Sequence, residues 1–369
     1  MAFSLGKLNE LFTIIPRAFG LDISDRSLKF VSLKPIRNAY EVDAFGEHEF
    51  AAGIVERGKV LSLDKLANEI SAALASARDV ISPHVVVALP EEEVFLRIVQ
   101  LPQMSKDELA EAIKWETESN IPISIDNAYF DYQIIPPIHK PKELQHLDVL
   151  VAAAPKDTVE QYIRAVERAD LHLVGIEPES VAIARSLVSA RQQNDPVILM
   201  DIGAIRTRLV IHSAGCVRFT SFIPLSVQNF IKPLVASGLE AKEAERILFS
   251  IGVNKSAEHS AVFTLLVPVL TDLKEQIEKY IQFYNSHAEH EHGYSTKLSL
   301  LIVAGGGALI PGLLEYLASM LNISVEVANP WANVTDQPMR EIPQISQRQA
   351  VRFSAVIGLA LRGINNINE

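Results

Sequence analysis

Several things are scarce in this chain of 369 residues, and each scarcity closes a possibility. There is one cysteine, Cys216, so no intrachain disulfide forms; that fits a reducing compartment. Positive charge is short: 34 Lys and Arg stand against 45 Asp and Glu, a formal charge of −11, so a basic face for nucleic acid is not expected. Long apolar runs are missing. The longest stretch, Leu298 to Leu314, is broken by Gly305, Gly306, Gly307, Pro311 and Gly312, whereas a membrane-spanning helix needs roughly 20 apolar residues. The first residues show no Lys/Arg-rich start followed by an unbroken apolar segment, so a secretory signal is not expected. The phosphate loop G-x-x-x-x-G-K-[ST] is absent, and no Ser–His–Asp set or Cys–His pair stands out.

What is present is a chain with 48% hydrophobic residues, enough for two globular lobes that each bury a core. Residues 1–16 form an amphipathic segment (Phe3, Leu5, Leu8, Leu11, Phe12, Ile14 and Ile15 on one side) ended by Pro16. It reads either as a helix or loose end against the body, or as a weak membrane-surface or partner-binding helix. After it, strands and helices alternate. Phe19–Ile23 and Leu28–Leu33 read as strands around a polar turn, Ser62–Arg78 as a helix with Leu66, Ile70, Ala73, Leu74 and Ala77 on one face, and His84–Leu89 as a buried strand. Val94–Leu101 is then a strand, Ser105 and Glu108 form a capping box opening a helix, and Tyr129–Ile135 and Leu147–Ala154 are strands. This strand–helix–strand–strand block reads as a module inserted at about 90–154 into a first lobe of 17–89 and 155–195. Gln192–Pro196 is polar and turn-prone and marks the boundary to a second lobe, 196–369, with a helical subdomain at about 226–296. The second lobe repeats the opening theme of the first, strand, Asp-turn, strand, which predicts an α/β protein of duplicated lobes facing a shared cleft.

Three turns carry the chemistry. In Gly20-Leu21-Asp22-Ile23-Ser24-Asp25-Arg26-Ser27-Leu28-Lys29, a tight turn between strands aims backbone N–H groups into one concavity that suits phosphate. Lys29 supplies a point charge there, and Asp22, an anion itself, makes sense beside phosphate only with a hydrated Mg²⁺ between them. In Asp201-Ile202-Gly203-Ala204-Ile205-Arg206-Thr207 the logic repeats: Asp201 holds a metal-bound water, Gly203 allows close backbone approach, and Thr207 offers a hydroxyl and an amide. The third turn, Ala304 to Gly312, puts Gly305, Gly306 and Gly307 after a buried strand, bare backbone for a flat base, with Pro311 opening a helix. One such turn is weak evidence; the specific feature is their order, with about 180 residues between the two Asp turns and about 100 more to the glycines.

Here the chain resembles the PilM family, actin-like ATPases of type IV pilus assembly related to FtsA. The resemblance covers nearly the whole chain. It is carried by VVVALPEEEVFLRIVQLPQMSKDELAEAIKWETESNIP, VLVAAAPKDTVEQYIRAVERADLHLVGIEPESVAIAR, LIVAGGGALIPGLLEYL and VRFSAVIGLALRG. It implies the two-lobed actin-like, ribonuclease H-like fold with the inserted module, and ATP with Mg²⁺ as ligands. It also implies roles for Asp22, Ser24, Lys29, Asp201, Gly203 and Thr207 at the phosphates and metal, and for Gly305, Gly306 and Gly307 at the adenosine. By the same resemblance Glu177 polarises the attacking water and Glu245 contacts ribose or base. The implied partners are the cytoplasmic N-terminal peptide of a PilN-like inner-membrane protein, docked between the first lobe and the module, then the pilus motor ATPases and the platform protein, with self-association open. The implied place is the cytoplasmic face of the inner membrane, held there through partners. Three positions depart from the pattern: Ser24 stands where glycine is usual, Leu248 where lysine is common, and Arg206 where Ser or Thr is common, facing either phosphate or solvent. These put turnover in question, so weak ATPase activity at most is expected.

Other readings stay open beside this one: a nucleotide-dead scaffold, an FtsA-like polymerising membrane tether, and a small-molecule kinase on the same fold. The kinase needs a cleft Asp poised as base toward a substrate hydroxyl, and none stands out beyond Asp22 and Asp201. The tether needs a C-terminal amphipathic helix, for which Gly363 to Glu369 is too short and polar. The cluster His287, Glu289, His290, Glu291 and His292 reads as a solvated helix end, with a metal site as the minor alternative. Leu109, Ile113 and Trp115 on the capped helix read as core.

Overall fold

A computed structural model of the chain describes residues 17–36, 39–77, 82–135, 146–254, 260–287, 297–335 and 345–365. The amphipathic segment 1–16, His290, His292 and the segment after Asn365 lie outside the described residues. Two five-stranded sheets share one plan. The first has the order β10-β6-β1-β2-β3 and is built from β1 (Phe19–Ile23), β2 (Ser27–Ile36), β3 (Ala39–Glu49), β6 (His84–Leu89) and β10 (His172–Pro178). The second has the order β13-β12-β11-β14-β15, from β11 (Val197–Ile202), β12 (Thr207–Ser213), β13 (Cys216–Ile223), β14 (Leu300–Ala304) and β15 (Ser324–Val327). A two-stranded ribbon, β4 (Val55–Glu56) with β5 (Lys59–Val60), adjoins the first sheet. In each sheet a central strand runs antiparallel to the strand that follows it and parallel to a later one, β1 with β2 and β6, β11 with β12 and β14.

The burial explains the sequence. All five residues of β1 are buried, so the strand is apolar throughout except for Asp22; strands covered on both faces lose the in–out alternation of half-exposed ones. Helix Leu63–Leu74 buries Leu66, Ile70, Ala73 and Leu74, and helix Lys156–Arg168 buries Val159, Tyr162, Ala165 and Val166, the spacing of one helical face against the first sheet. The second sheet packs against helices Val227–Ala236, Ala241–Ser250, Ser260–His287 and Leu313–Leu321. Leu248, at the departure from the family pattern, is completely buried in that core. The last of these helices begins after Gly312, so Pro311 precedes it rather than opening it.

Two helices, Glu179–Leu187 and Ser354–Asn365, lie between the sheets. The second corrects the sequence-based boundary. Residues 196–369 were expected as one lobe, yet this helix covers the first sheet, where Val356, Ile357, Ala360 and Leu361 meet Val31, Leu33 and Val42. It also lies so close to helix Glu179–Leu187 that a Cβ on Gly358 would overlap the backbone carbonyl of Ala182.

The expected strand–helix–strand–strand unit is present as β7 (Phe95–Pro102), helix Lys106–Asn120, β8 (Ala128–Ile135) and β9 (His146–Pro155), with sheet order β7-β9-β8. Its capping box forms as expected: Ser105 N–H donates to Glu108 Oε2 at 3.0 Å and Glu108 N–H to Ser105 Oγ at 3.4 Å. Leu109 and Ile113 pack on Val99, Leu101, Val149 and Val151. Trp115 does not: it is 70% exposed, two residues on from Ile113 and thus on the opposite side of the helix. The back of this sheet meets the second one. Ile135 and Leu150 pack on Cys216, and Arg218 Nη1 lies 3.6 Å from Asp148 Oδ2, both side chains buried. His212 is buried nearby; burial first, and the Arg218 charge second, push its pKa down to about 4. Among the described residues no helix is long and apolar enough to cross a membrane.

Candidate functional site at the paired hairpins

The β1–β2 and β11–β12 hairpins are equivalent in detail. Asp22 pairs in register with Lys29, and Asp201 with Arg208. Ser24 N–H donates to Ser27 O at 2.9 Å, and Gly203 N–H to Arg206 O at 2.9 Å. Ser24 therefore occupies the place of Gly203. It is not among the described residues with positive φ, and neither is Gly203, so a side chain fits the first turn without strain. At Gly203 a Cβ would lie 2.9 Å from Arg206 O, which is why the second turn keeps glycine.

The hairpins face each other. Asp22 is buried, and its Oδ1 has no hydrogen-bond partner. Asp201 Oδ2 accepts from Arg208 Nη1 at 3.2 Å. Burial raises the pKa of Asp201, Arg208 and Lys29 oppose that rise, and the charge of Asp22 adds to it, so residues of both sheets act on one carboxylate. Arg206 bridges the gap by ion pairs to Asp25 of the first hairpin and to Glu92. It faces carboxylates of the other lobe, neither bare solvent nor an isolated cleft. Lys29 Nζ is 3.8 Å from Glu47 Oε1.

Deeper in, Arg208 pairs with Glu179 at the start of helix Glu179–Leu187. Glu91 N–H donates to Glu179 Oε2 at 3.3 Å, and Ser180 N–H and Oγ donate to the Glu91 carboxylate at 3.1 and 3.0 Å. Burial is the main reason that the Glu179 pKa is raised to about 8; Arg208 opposes it, while Asp22 and Glu91 add to it. Burial also disfavours the Arg208 charge, but Glu179, Asp201, Glu91 and Asp22 outweigh this and raise its pKa. Neither Glu179, Glu91 nor Arg208 was singled out from sequence. The signal was there in part, since Glu179 follows Glu177-Pro178 in the same motif and Arg208 pairs with Asp201 in the hairpin register.

The glycine loop borders the same carboxylates. Gly305 has φ +78°, and a Cβ there would overlap Asp201 Oδ1. A Cβ on Gly307 would overlap the side chain of Ile202, whereas Gly306 faces open space. Of the three glycines, Gly306 is the one with open space beside its backbone. Thr207 is completely buried at the start of β12, and its Oγ1 has no partner.

One expected site residue is already committed to protein partners. Glu177 was expected to polarise water. Its buried carboxylate is instead held by Arg185, whose Nη2 lies 2.9 Å from Oε2 and whose Nη1 meets Oε1, and by Arg362 Nη1 at 2.9 Å. With both oxygens committed to arginines, it clamps helix Ser354–Asn365 to β10. Glu245 is exposed on helix Ala241–Ser250, in the turn that also carries the Glu243–Arg246 pair. Among the described residues, no three His, Cys, Asp or Glu side chains are grouped to hold a metal ion directly. Asp22 Oδ1 still suits a cation that arrives with its own water shell, since it is an unpartnered oxygen on a buried carboxylate.

Comparison with known proteins gives four findings. The family profile described as Type IV pilus assembly protein PilM matches residues 20–364. The solved PilM-PilN type IV pilus biogenesis complex contains a chain 27% identical with a TM-score of 0.77, over 95% of this chain and 99% of that one. MreB 5 of Spiroplasma citri, bound to AMPPNP, shares the fold at 12% identity and a TM-score of 0.51, over 93% of this chain and 94% of that one. Among curated proteins, the cell division protein FtsA of Bacillus subtilis is 24% identical over 191 residues, 47% of this chain. The match spans 43% of FtsA, less than half the length of that relative.

Proposed function

Because the chain belongs to the type IV pilus assembly protein PilM family and has its two-lobed actin-like fold, we propose that it is a nucleotide-binding scaffold of a type IV pilus assembly complex. The ligand is ATP with Mg²⁺, bound between the two hairpins. Asp22 and Asp201 hold the cation through its waters, the turn amides around Ser24 and Gly203 hold phosphate oxygens, and Gly306 lies along the base. The cation would screen phosphate from the carboxylates. The partner is the N-terminal peptide of a PilN-like inner-membrane protein, docked between the first lobe and the β7-β9-β8 module; the motor ATPases and platform protein follow in the same assembly. The protein then works on the cytoplasmic side, tied to the membrane through that partner, with slow hydrolysis at most.

The observation that carries the reading is the convergence of Asp22 and Asp201, with Lys29, on one cleft between two equivalent hairpins. Two aspartates on unconnected surfaces would have excluded it. The test is thermal melting with and without Mg-ATP. A ligand at 100 times its dissociation constant adds about 2.7 kcal/mol, and Asp201→Ala abolishes the shift. A second reading, a scaffold that has lost its nucleotide, is favoured by one observation: Arg206, Arg208 and Glu177 are all engaged by protein partners. Under that reading Mg-ATP gives no shift, while a PilN-like peptide still raises the melting temperature.

A further inference from the structure

Arg206 is the residue the nucleotide reading leaves without a role. It projects from the second hairpin, and both of its terminal nitrogens reach the other lobe, Nη2 to Asp25 Oδ2 and Nη1 to Glu92 Oε1. Asp25 is itself anchored, since Gly58 N–H donates to its Oδ1 at 3.1 Å. Glu92 offers the arginine one oxygen, and the other is buried without a hydrogen-bond partner. Around the cleft, six acidic side chains (Asp22, Asp25, Glu91, Glu92, Glu179 and Asp201) stand with four cations, Lys29, Arg57, Arg206 and Arg208. Arg208 is buried between Glu179 and Asp201, Lys29 pairs with Glu47 on the neighbouring strand, and Arg57 is exposed. Arg206 is about a quarter exposed and lies in the turn of the β11–β12 hairpin.

A guanidinium binds carboxylate and phosphate with the same planar fork. Phosphate entering between the turns would therefore meet an arginine already in place and compete with Asp25 and Glu92 for it. We propose that Arg206 is a cross-cleft latch: in the nucleotide-free protein it ties the two phosphate hairpins together through Asp25 and Glu92, and the phosphate chain of a bound nucleotide takes it from them. The phosphate half of this rests on the nucleotide reading above; the latch half does not. Binding energy then goes partly into breaking two protein ion pairs, so the resting protein holds nucleotide more weakly than the same cleft would with the carboxylates neutral.

The two sides of the latch respond in opposite directions. Arg206→Gln removes a phosphate ligand and weakens Mg-ATP binding roughly tenfold. Asp25→Asn keeps the Oδ1 acceptor that Gly58 N–H uses, but weakens the hold on Arg206, so it tightens binding several-fold. Removing any negative charge near phosphate would tighten binding in a general way, so the decisive variant is the double one. If the gain comes from a released Arg206, Asp25→Asn adds nothing in the Arg206→Gln background. The affinities are read by calorimetric titration of the full chain with Mg-ATP. A parallel measurement on nucleotide-free protein, hydrogen exchange at the Ser24 and Gly203 amides, reads the latch itself: Arg206→Gln speeds it. Unchanged exchange overturns the latch. Faster exchange with Asp25→Asn and Arg206→Gln acting independently on affinity overturns the phosphate role. Absence of any Mg-ATP binding by the unmodified chain overturns the nucleotide reading and the phosphate role together, and leaves the latch to be judged by exchange.

Discussion

Substituting Glu177 separates two roles for a residue that motif resemblance assigns to catalysis and geometry assigns to architecture. In Glu177→Gln the side chain keeps its size but loses its charge, and its new NH₂ group faces the arginine donors. Three hydrogen bonds are affected, two from Arg185 and one from Arg362. Each bond of this charge-assisted kind is worth about 1.5–3 kcal/mol. The arginines are about a quarter exposed and recover part of that from water, so the expected loss is about 3 kcal/mol, the low end for breaking a buried pair. At about 2.1 cal/mol/K per residue, unfolding 369 residues carries an entropy of about 0.8 kcal/mol/K, and the melting temperature falls by about 4 °C. Differential scanning calorimetry of the nucleotide-free protein measures this. Arg362→Gln should behave similarly, and the double variant should lose less than the sum, since both remove one interaction. A melting temperature within about 1 °C of the parent, together with loss of ATP turnover, would refute the clamp and restore Glu177 to chemistry.

Two more outcomes are expected. Glu179 has its pKa raised to about 8, mainly by burial, so the folded protein holds a proton that the unfolded chain releases near 4.5. Stability therefore falls as pH rises through this range. His212, with its pKa lowered, affects only the region below about 6.5, so calorimetric melts from pH 6.5 to 8 show a declining melting temperature that Glu179→Gln largely flattens. Gly358→Ala puts a methyl group against the Ala182 carbonyl; the forced separation costs about 2 kcal/mol and lowers the melting temperature by about 2–3 °C, measured by circular dichroism.

The parts of this protein legible in the chain were those set by near neighbours. Asp22, Ser24 and Lys29, or Asp201, Gly203 and Thr207, fall within a single hairpin, where turn chemistry and register fix position. The capping box of Ser105 and Glu108 is equally local. What escaped depends on contacts across the molecule. Arg206 meets Asp25 only when two lobes close, and Arg362 meets Glu177 only because a late helix returns to the first sheet. Trp115 was misplaced for a different reason: an aromatic residue two positions from a core isoleucine lies on the other side of the helix, and the helix is covered on one side alone. Glu245 had only motif position to place it, and its helix turns that side chain to solvent.

The helix Ser354–Asn365 also bears on how the protein is made. Val31, Leu33 and Val42 leave the ribosome early, yet the residues that cover them, from Val356 to Leu361, are translated more than 300 positions later. Until then the β1–β2 face is a bare apolar surface on a nascent chain, open to chaperones and to other unfinished copies. Interrupted translation before that helix would yield a product that aggregates, even with every nucleotide-facing residue already in it.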